Sequence, residues 1–228
     1  AEANTYPSSE KLYDWELGYQ YTAPRLSLGV NLYYMKYKDQ LVPTGMVNDD
    51  SNALNTNVPD SYRRGVELSA SWRATGWFTV GANATFSQNR IENYVDALKD
   101  SPTYGKELGD MTIAYSPDVI ANAFLNFHHR GFEAVFHTQH VGKQYFTNNE
   151  NDALSLDAYC VTNLNLAYTF RTRSARSVRL GLLINNLFNA EYESNGYGYS
   201  YMDTWSGPAP VRIDEAYYFP QAPLNVLA

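Results

Sequence analysis

The sequence predicts an all-β protein, an antiparallel transmembrane β-barrel fragment of about nine strands. Three observations lead to this prediction: apolar and polar residues alternate, the predicted strands are long, and short connections alternate with long ones. The 228 residues are 44% hydrophobic, with a mean hydropathy of −0.44. No apolar run approaches the roughly 18 residues that a membrane-spanning helix requires, whereas half the residues of a membrane-spanning strand are free to be polar.

The alternation is clearest in the segment WFTVGANATFSQN, residues 77–89. An extended chain would place every second side chain on the same face. One face would then hold Phe78, Val80, Ala82, Ala84 and Phe86, and the other would hold Thr79, Gly81, Asn83, Thr85 and Ser87. We therefore predict that the apolar face meets lipid and that the polar face lines a polar lumen.

The same two-residue period identifies the other strands. In chain order, the predicted strands cover residues 11–22, 26–38, 62–73, 77–89, 118–128, 131–142, 156–170, 178–189 and 216–228. In the first three, the apolar positions are Tyr13, Trp15, Leu17, Tyr19 and Tyr21, then Leu26, Leu28, Val30, Leu32 and Tyr34, then Val66, Leu68, Ala70 and Trp72. The fifth and sixth are less regular because Ile120, Phe124 and Val135 fall among the polar positions. The seventh alternates cleanly again, from Leu164 to Phe170.

The lengths and ends of these strands favour a membrane over water. Several runs exceed the usual soluble length of about 5 to 6 residues and approach the roughly 9 to 11 that cross a bilayer at a tilt. Aromatic residues gather near the ends of the apolar stripes, where a membrane interface would hold them. These residues are Tyr13, Trp15, Tyr34, Trp72, Trp77 and Phe170.

The connections between the predicted strands alternate in length without exception. Short turns are expected near residues 23–25, 74–76, 129–131 and 171–177, and longer loops near 39–61, 90–118, 142–155 and 190–215. Tight turns join antiparallel neighbours, so all short turns fall at one end of the sheet and all long loops at the other. An outer-membrane barrel has this asymmetry, with short periplasmic turns and long extracellular loops.

Several segments together resemble the C-terminal part of a TonB-dependent receptor barrel, similar to versions from Bacteroidetes-type outer membranes. They are LYDWELGYQY (residues 12–21), GVNLYYMKYKDQLV (29–42), SYRRGVELSASWR (61–73), GLLINNLFNAEYESNGYGY (181–199) and YYFPQAPLNVLA (217–228). The most specific part is INNLFNAEY followed by a long loop and YFPQAP. The resemblance covers nearly the whole chain.

The resemblance implies location in the cell outer membrane and energised uptake of a scarce ligand such as a siderophore, haem or cobalamin. The family barrel has 22 strands around a plug, so residues 1–228 are expected to be a C-terminal portion without the plug domain. The implied partners are outer-membrane lipid, the N-terminal plug, the remaining barrel strands, a TonB-type energy transducer acting through the plug, and an unknown small-molecule ligand.

The residues themselves point to no catalytic site, metal site or cofactor. His128 and His129, like His137 and His140, fall on opposite faces of an extended chain and do not form a ready chelate. A barrel hydrolase would need a nucleophile and a base within reach, and no histidine lies near Ser69 in the sequence. The net charge of −7 argues against nucleic acid as a partner, and Cys160 has no second cysteine with which to form a disulfide.

The candidate ligand-binding residues lie in the long loop after Asn189. Aromatic side chains with intervening glycines suit stacking on flat or apolar ligand groups. The candidates are Tyr192, Tyr197, Tyr199, Tyr201 and Trp205. Three alternatives to a transporter stay open at this stage: a small non-transport outer-membrane barrel, a barrel enzyme, and a soluble β-sandwich binding module with an apolar interior.

Overall fold

The computed structural model describes residues 7–47, 53–173 and 176–228. The larger strands are β1 (Lys11–Ala23), β2 (Leu26–Val47), β3 (Ala53–Arg73), β4 (Phe78–Ile91), β6 (Val119–His129), β7 (Phe132–Val141), β10 (Tyr159–Phe170), β11 (Val178–Asn185), β12 (Glu193–Asp203) and β13 (Val211–Pro220). The short elements are β5 (Met111–Thr112), β8 (Gln144–Tyr145), a 3₁₀ turn at Asp152–Leu154, β9 (Ser155–Leu156) and β14 (Asn225–Leu227). No helix in these ranges is long and apolar enough to span a membrane.

One antiparallel sheet contains most of the described chain. Its strands follow the order β1-β2-β3-β4-β6-β7-β10-β11-β14, with β5 added at the end of β4. This path contains nine strands in the described residues, so the predicted fold class and strand number are confirmed. Consecutive strands of the path pair with each other, and the short turns all lie at one end of the sheet, as predicted.

The register between strands places apolar positions beside apolar positions and polar positions beside polar positions. The sheet therefore has one continuous apolar face and one continuous polar face. Leu32 pairs with Val66, Val66 with Phe86, and Phe86 with Val119. This row and its equivalents form the apolar face, in which Leu32 is 50% exposed and Phe86 is 46% exposed. We call the nine strands of this main sheet the wall strands. Their main contacts are with their neighbours in the same sheet, so among the described residues no second sheet packs on the apolar face. A sandwich would have buried it.

Two groups of aromatic residues border the apolar face. We call the end of the sheet that carries the long connections the loop end, and the end that carries the short turns the turn end. At the loop end, Trp15 lies 5.8 Å from Tyr34, and Tyr34 stacks on Tyr62 at 6.2 Å. At the turn end, Phe78 stacks on Phe127 at 4.4 Å. Ten residues separate Tyr62 from Trp72 in β3, and at about 3.3 Å per residue with a tilt of about 40° they span about 25 Å, the height of the apolar band in outer-membrane barrels.

The opposite, polar face is crossed by side-chain hydrogen bonds. The Asn31 amide donates to Glu16 Oε2 and to Glu67 Oε2, both at 3.2 Å, and the Asn122 amide donates to Asn83 at 3.1 Å. Phe124, an exception to the alternation, also lies on this face. A Cβ on its partner Gly81 would come within 2.1 Å of the Phe124 ring, so the glycine leaves the space that the ring occupies.

The structure corrects three predicted boundaries at the loop end. The expected loop 39–61 is mostly a continuation of β2 and β3, which pair beyond the wall up to Val47 and Ala53; residues 48–52 lie outside the described part. The expected loop 190–215 contains β12 and the first half of β13, which form a separate hairpin. The expected strand 216–228 is divided, because its first residues belong to β13 and only Asn225–Leu227 pair with β11.

The NNLFN segment forms the turn that ends β11 at Asn185, earlier than predicted. Asn186 adopts a positive φ of 52°, which asparagine tolerates better than most residues. The Asn186 amide donates to the backbone oxygens of Ala190 at 2.8 Å and Ala222 at 3.3 Å. The Leu224 backbone N–H donates to Asn189 Oδ1 at 2.9 Å. These bonds connect the NNLFN segment to QAPL, directly before the last strand.

Nearly all fully buried apolar side chains lie at the loop end rather than in the wall. One cluster holds Val42, Val58, Ile91, Tyr94 and Ile113, and a second holds Phe146, Leu154 and Leu156. Asn148 links the loops around these clusters. Its Oδ1 accepts from Ala114 N at 2.7 Å, and its Nδ2 donates to Pro43 O at 2.6 Å. The long connections therefore form a packed unit above the apolar band.

The β12–β13 hairpin packs on the second cluster through two glycines. A Cβ on Gly196 would lie 2.6 Å from Tyr217 O and 2.7 Å from Phe146 Cζ. A Cβ on Gly198 would lie 2.9 Å from Leu154 Cδ2. Glycine at both positions lets the hairpin backbone approach the Phe146 ring closely.

Arginine substitutions at two adjacent β4 positions test the assignment of the faces. In the full-length protein, Ala82→Arg on the apolar face should lower the free energy of unfolding by about 2 to 4 kcal/mol, because the charge enters hydrocarbon. Asn83→Arg on the polar face is the matched control and should cost less than about 1 kcal/mol. Urea unfolding in lipid vesicles measures both values, and equal costs would contradict the assignment.

Alanine substitutions at two glycines test the packing of the hairpin. Gly196→Ala should destabilise the packed hairpin by about 1 to 3 kcal/mol through overpacking against Phe146. Gly207→Ala should have little effect, because nothing lies within 4 Å of that position. Hydrogen exchange should accelerate in residues 193–220 for Gly196→Ala alone. Unchanged exchange there would show that the close approach is not needed.

Candidate ligand-binding site

One face of the β12–β13 hairpin carries a row of stacked aromatic rings. Strand pairing places Tyr197 opposite Tyr217 and Tyr199 opposite Glu215. Gly196 and Gly198 occupy the alternate positions, which belong to the other face of the hairpin. The Tyr197 and Tyr217 rings stack at 4.9 Å with an interplanar angle of 15°. The row continues from Tyr199 to Tyr201 at 6.4 Å and from Tyr201 to Trp205 at 6.5 Å.

A single carboxylate lies within this row and accepts hydrogen bonds from three phenols. The Tyr199 hydroxyl donates to Glu215 Oε2 at 2.6 Å, and the Tyr217 hydroxyl donates to the same oxygen at 2.8 Å. The Tyr201 hydroxyl donates to Oε1 at 3.3 Å. These hydrogen bonds lower the pKa of the Glu215 carboxyl, and the bond from Tyr199 has the largest effect. Glu215 in turn raises the pKa of the Tyr199 phenol, so at neutral pH the carboxylate is ionised and the phenol is protonated.

The aromatic row borders a cleft of about 680 Å³, within the size range of small-molecule sites. Three parts of the loop end enclose it: the hairpin, the upper ends of β2 and β3, and the loops before β6 and after β7. The lining residues include Met46, Leu54, Tyr115, Phe146, Tyr197 and Tyr199. Aromatic residues from the hairpin and from the loops before β6 and after β7 therefore line this cleft together.

Four of the five predicted residues meet in one row, and the fifth does not. Tyr197, Tyr199, Tyr201 and Trp205 form consecutive parts of the stacked series. Tyr192 instead stacks on Tyr159 of β10 at 4.7 Å, away from the hairpin face. Whether these residues bind a ligand stays a prediction.

Sequence reasoning missed the partners that β13 supplies. Glu215 and Tyr217 face the same side as the predicted tyrosines, yet the sequence pattern alone places residues 216–228 in a wall strand. A usable signal was present, because tyrosine recurs at every second position from 197 to 201. That period is typical of a strand and not of an irregular loop.

The residues considered for catalysis or metal binding lie on three different strands. Ser69 lies on β3, whereas His128 and His129 end β6 and the other two histidines lie on β7. Strand β4 separates β3 from β6 in the sheet. Within the described ranges, no group of three His, Cys, Asp or Glu side chains is arranged to hold a metal ion.

The chain also resembles known proteins over most of its length. A family model described as TonB dependent receptor-like, beta-barrel, matches residues 3–187. The pesticin receptors of Yersinia enterocolitica and Yersinia pestis are each 23% identical over 190 residues, which cover 83% of this chain and 26% of each relative. The chain thus spans about a quarter of the length of these curated relatives.

Solved structures share the fold at low sequence identity. The ferric yersiniabactin uptake receptor of Yersinia pestis aligns with a TM-score of 0.60 and 19% identity, covering 92% of this chain and 30% of that one. The ferric-catecholate import receptor of E. coli K12 aligns with a TM-score of 0.61 and 17% identity, covering 96% of this chain and 29% of that one. Together with the family match over residues 3–187, the apolar-faced antiparallel sheet establishes that this chain belongs to the TonB-dependent receptor-like β-barrel family of the bacterial outer membrane.

Proposed function

We propose that this chain is the C-terminal portion of the barrel of a TonB-dependent receptor that takes up a scarce small-molecule ligand across the outer membrane. The open sheet is the observation that carries the proposal. Strands β1 and β14 each have one neighbour among the described residues, and a free strand edge in hydrocarbon leaves backbone groups unsatisfied. Further strands of the whole receptor would pair with these edges and close the barrel.

The whole receptor would supply the partners that the uptake requires. A plug in the lumen would meet the polar face, on which Asn31, Glu67 and Asn83 offer hydrogen-bonding groups. A TonB-type transducer would act on that plug and supply the energy. Outer-membrane lipid would cover the apolar face, and no catalytic step is part of the proposal.

The aromatic cleft would form part of the external mouth of the receptor. It lies at the loop end, beyond the aromatic rows that border the apolar band, and therefore on the side from which a ligand arrives. Ligands of the siderophore, haem and cobalamin classes include molecules with flat or apolar surfaces, such as haem, which suit stacking on tyrosine rings. Relatives with this fold include proteins described as receptors for ferric complexes, which supports a ligand of this general kind.

Uptake by the full-length receptor tests this proposal. Haem, cobalamin and a panel of ferric siderophores would each be supplied to a receptor-deficient host carrying the protein. At least one of these probes should support growth, and a protonophore should abolish its uptake while leaving surface binding intact. Growth on none of them, or uptake that survives the protonophore, would contradict the proposal.

Substitutions in the cleft then test its part in ligand binding. The triple variant Tyr197→Ala, Tyr199→Ala, Tyr217→Ala should bind the active probe at least about tenfold more weakly, because aromatic anchors carry much of the affinity of such sites. Tyr192→Ala is the matched control, since its ring stacks elsewhere, and should bind normally. If both variants bound the probe with equal affinity, the cleft would have no part in ligand binding.

A further inference from the structure

Two phenols of the cleft donate their protons to one carboxylate. Tyr199 and Tyr217 line the cleft, and their hydroxyls donate to Glu215 Oε2 at 2.6 Å and 2.8 Å. A phenol has a single proton to donate, while its oxygen also accepts, and an ionised carboxylate only accepts. These two hydrogen bonds therefore run in one direction only. Towards a ligand in the cleft, the Tyr199 and Tyr217 oxygens are left as acceptors.

The other two tyrosines of the cleft lining change this balance little. The Tyr115 hydroxyl donates to the backbone oxygen of Gly196 at 3.4 Å, so its proton also has a partner within the protein. The Tyr197 hydroxyl is not among the donors to Glu215 and remains as one phenol that a ligand could accept from. The side chains of this cleft therefore offer a ligand more hydrogen-bond acceptors than donors.

The charge beside the cleft is negative. Among the described residues, those that line the cleft carry no charge, and the carboxylate of Glu215 lies directly behind two of them. Arg212 does not neutralise this carboxylate, because it pairs with Asp214 at 2.9 Å and both belong to the other face of the hairpin. Lys99 and Asp100, of opposite charge, both line a neighbouring cavity of about 260 Å³. Glu215 therefore contributes a net negative charge to the cleft side of the hairpin.

The acceptor oxygens and the charge favour the same kind of ligand. A ligand with N–H or O–H groups can donate to the Tyr199 and Tyr217 oxygens, whereas an acceptor-only group would leave them unpaired, which is costly once water is excluded. The negative charge attracts a cation and repels an anion. The stacked Tyr197 and Tyr217 rings add an attraction for a cation over their faces. All three effects favour a cationic donor over an anion.

We propose that this cleft selects ligands that carry a cationic hydrogen-bond donor, such as an ammonium group, on a flat or apolar body, and that Glu215 sets this preference through Tyr199 and Tyr217. Glu215 is not among the residues that line the cleft, so it acts as a positioning residue that fixes the direction of the phenol hydrogen bonds. The inference rests on the proposed function in taking the cleft as the ligand site. It narrows the ligand class, because a polyanionic chelate without N–H or O–H groups fits this surface poorly.

Two aromatic fragments of opposite charge test the preference without requiring transport. 2-Naphthylmethylammonium and 2-naphthoate share one ring system and differ in the charged group, which is a donor in the first and an acceptor in the second. Ligand-observed NMR titration of the purified full-length receptor in nonionic detergent gives both dissociation constants. Binding that survives in the variant Tyr197→Ala, Tyr199→Ala, Tyr217→Ala lies outside the cleft and is subtracted. The ammonium fragment should bind at least about tenfold more tightly than the carboxylate fragment.

The variant Glu215→Gln tests the role of the carboxylate. Glutamine keeps the shape of the side chain but removes its charge and can itself donate, so the ratio of the two affinities should fall by at least about tenfold. Glu107→Gln is the matched control, because it removes the same charge from an exposed residue outside the cleft lining, and it should keep the wild-type ratio. Heat-modifiable gel migration checks that each variant folds.

Three results would overturn the proposal: equal or tighter binding of the carboxylate fragment to the wild-type receptor, binding of neither fragment in the cleft, or an unchanged ratio in Glu215→Gln. A purely structural role of Glu215 would give the last result, since both fragments would then bind more weakly to the same extent. None of these results bears on the uptake experiment, because growth and protonophore sensitivity do not depend on the charge preference of the cleft.

Discussion

The rest of the structure depends on the hydrogen-bond ladder between the wall strands. In hydrocarbon an unpaired backbone group has no water to replace its partner, so each strand must be paired along its length. The register that satisfies this requirement also sets the faces, because a slip of one residue would exchange every apolar side chain with a polar one. The row from Leu32 to Val119 and the Asn31–Glu67 contact are two results of the same register.

Above the apolar band the source of stability changes. The wall buries few side chains within the chain itself, whereas the loop end contains two clusters of buried apolar residues. Water covers the loop end, so the hydrophobic effect can stabilise these contacts. The packed loops hold the β12–β13 hairpin with its glycines against Phe146 and its tyrosines towards the cleft. A rigid support of this kind keeps the three phenols in place around Glu215.

The sequence is sufficient to predict the wall strands but not the structure of the loop end, and the difference has a physical cause. Each wall strand meets hydrocarbon on one side only, so apolar and polar residues alternate along its sequence. This period of two can be recognised residue by residue. Beyond Asp39 the strands leave the membrane, and residues such as Pro43, Gly45 and Pro59 are typical of a loop. Pairing between β2 and β3 overrides those signals. Glycines such as those at 196 and 198 are likewise typical of loops, yet here they allow the hairpin to approach the ring of Phe146, which is distant in sequence.

Spin labels placed one at a time along residues 78–87 would test the central claim most directly. After serine replaces Cys160 and any cysteine elsewhere in the full-length protein, each labelled protein would be reconstituted in lipid. Collision rates with oxygen, which concentrates in hydrocarbon, and with a water-soluble nickel complex would then be compared. Oxygen access should peak at 78, 80, 82, 84 and 86, with lower values at the intervening positions. A profile without a two-residue period, or with the opposite phase, would contradict the assignment of the apolar face to lipid.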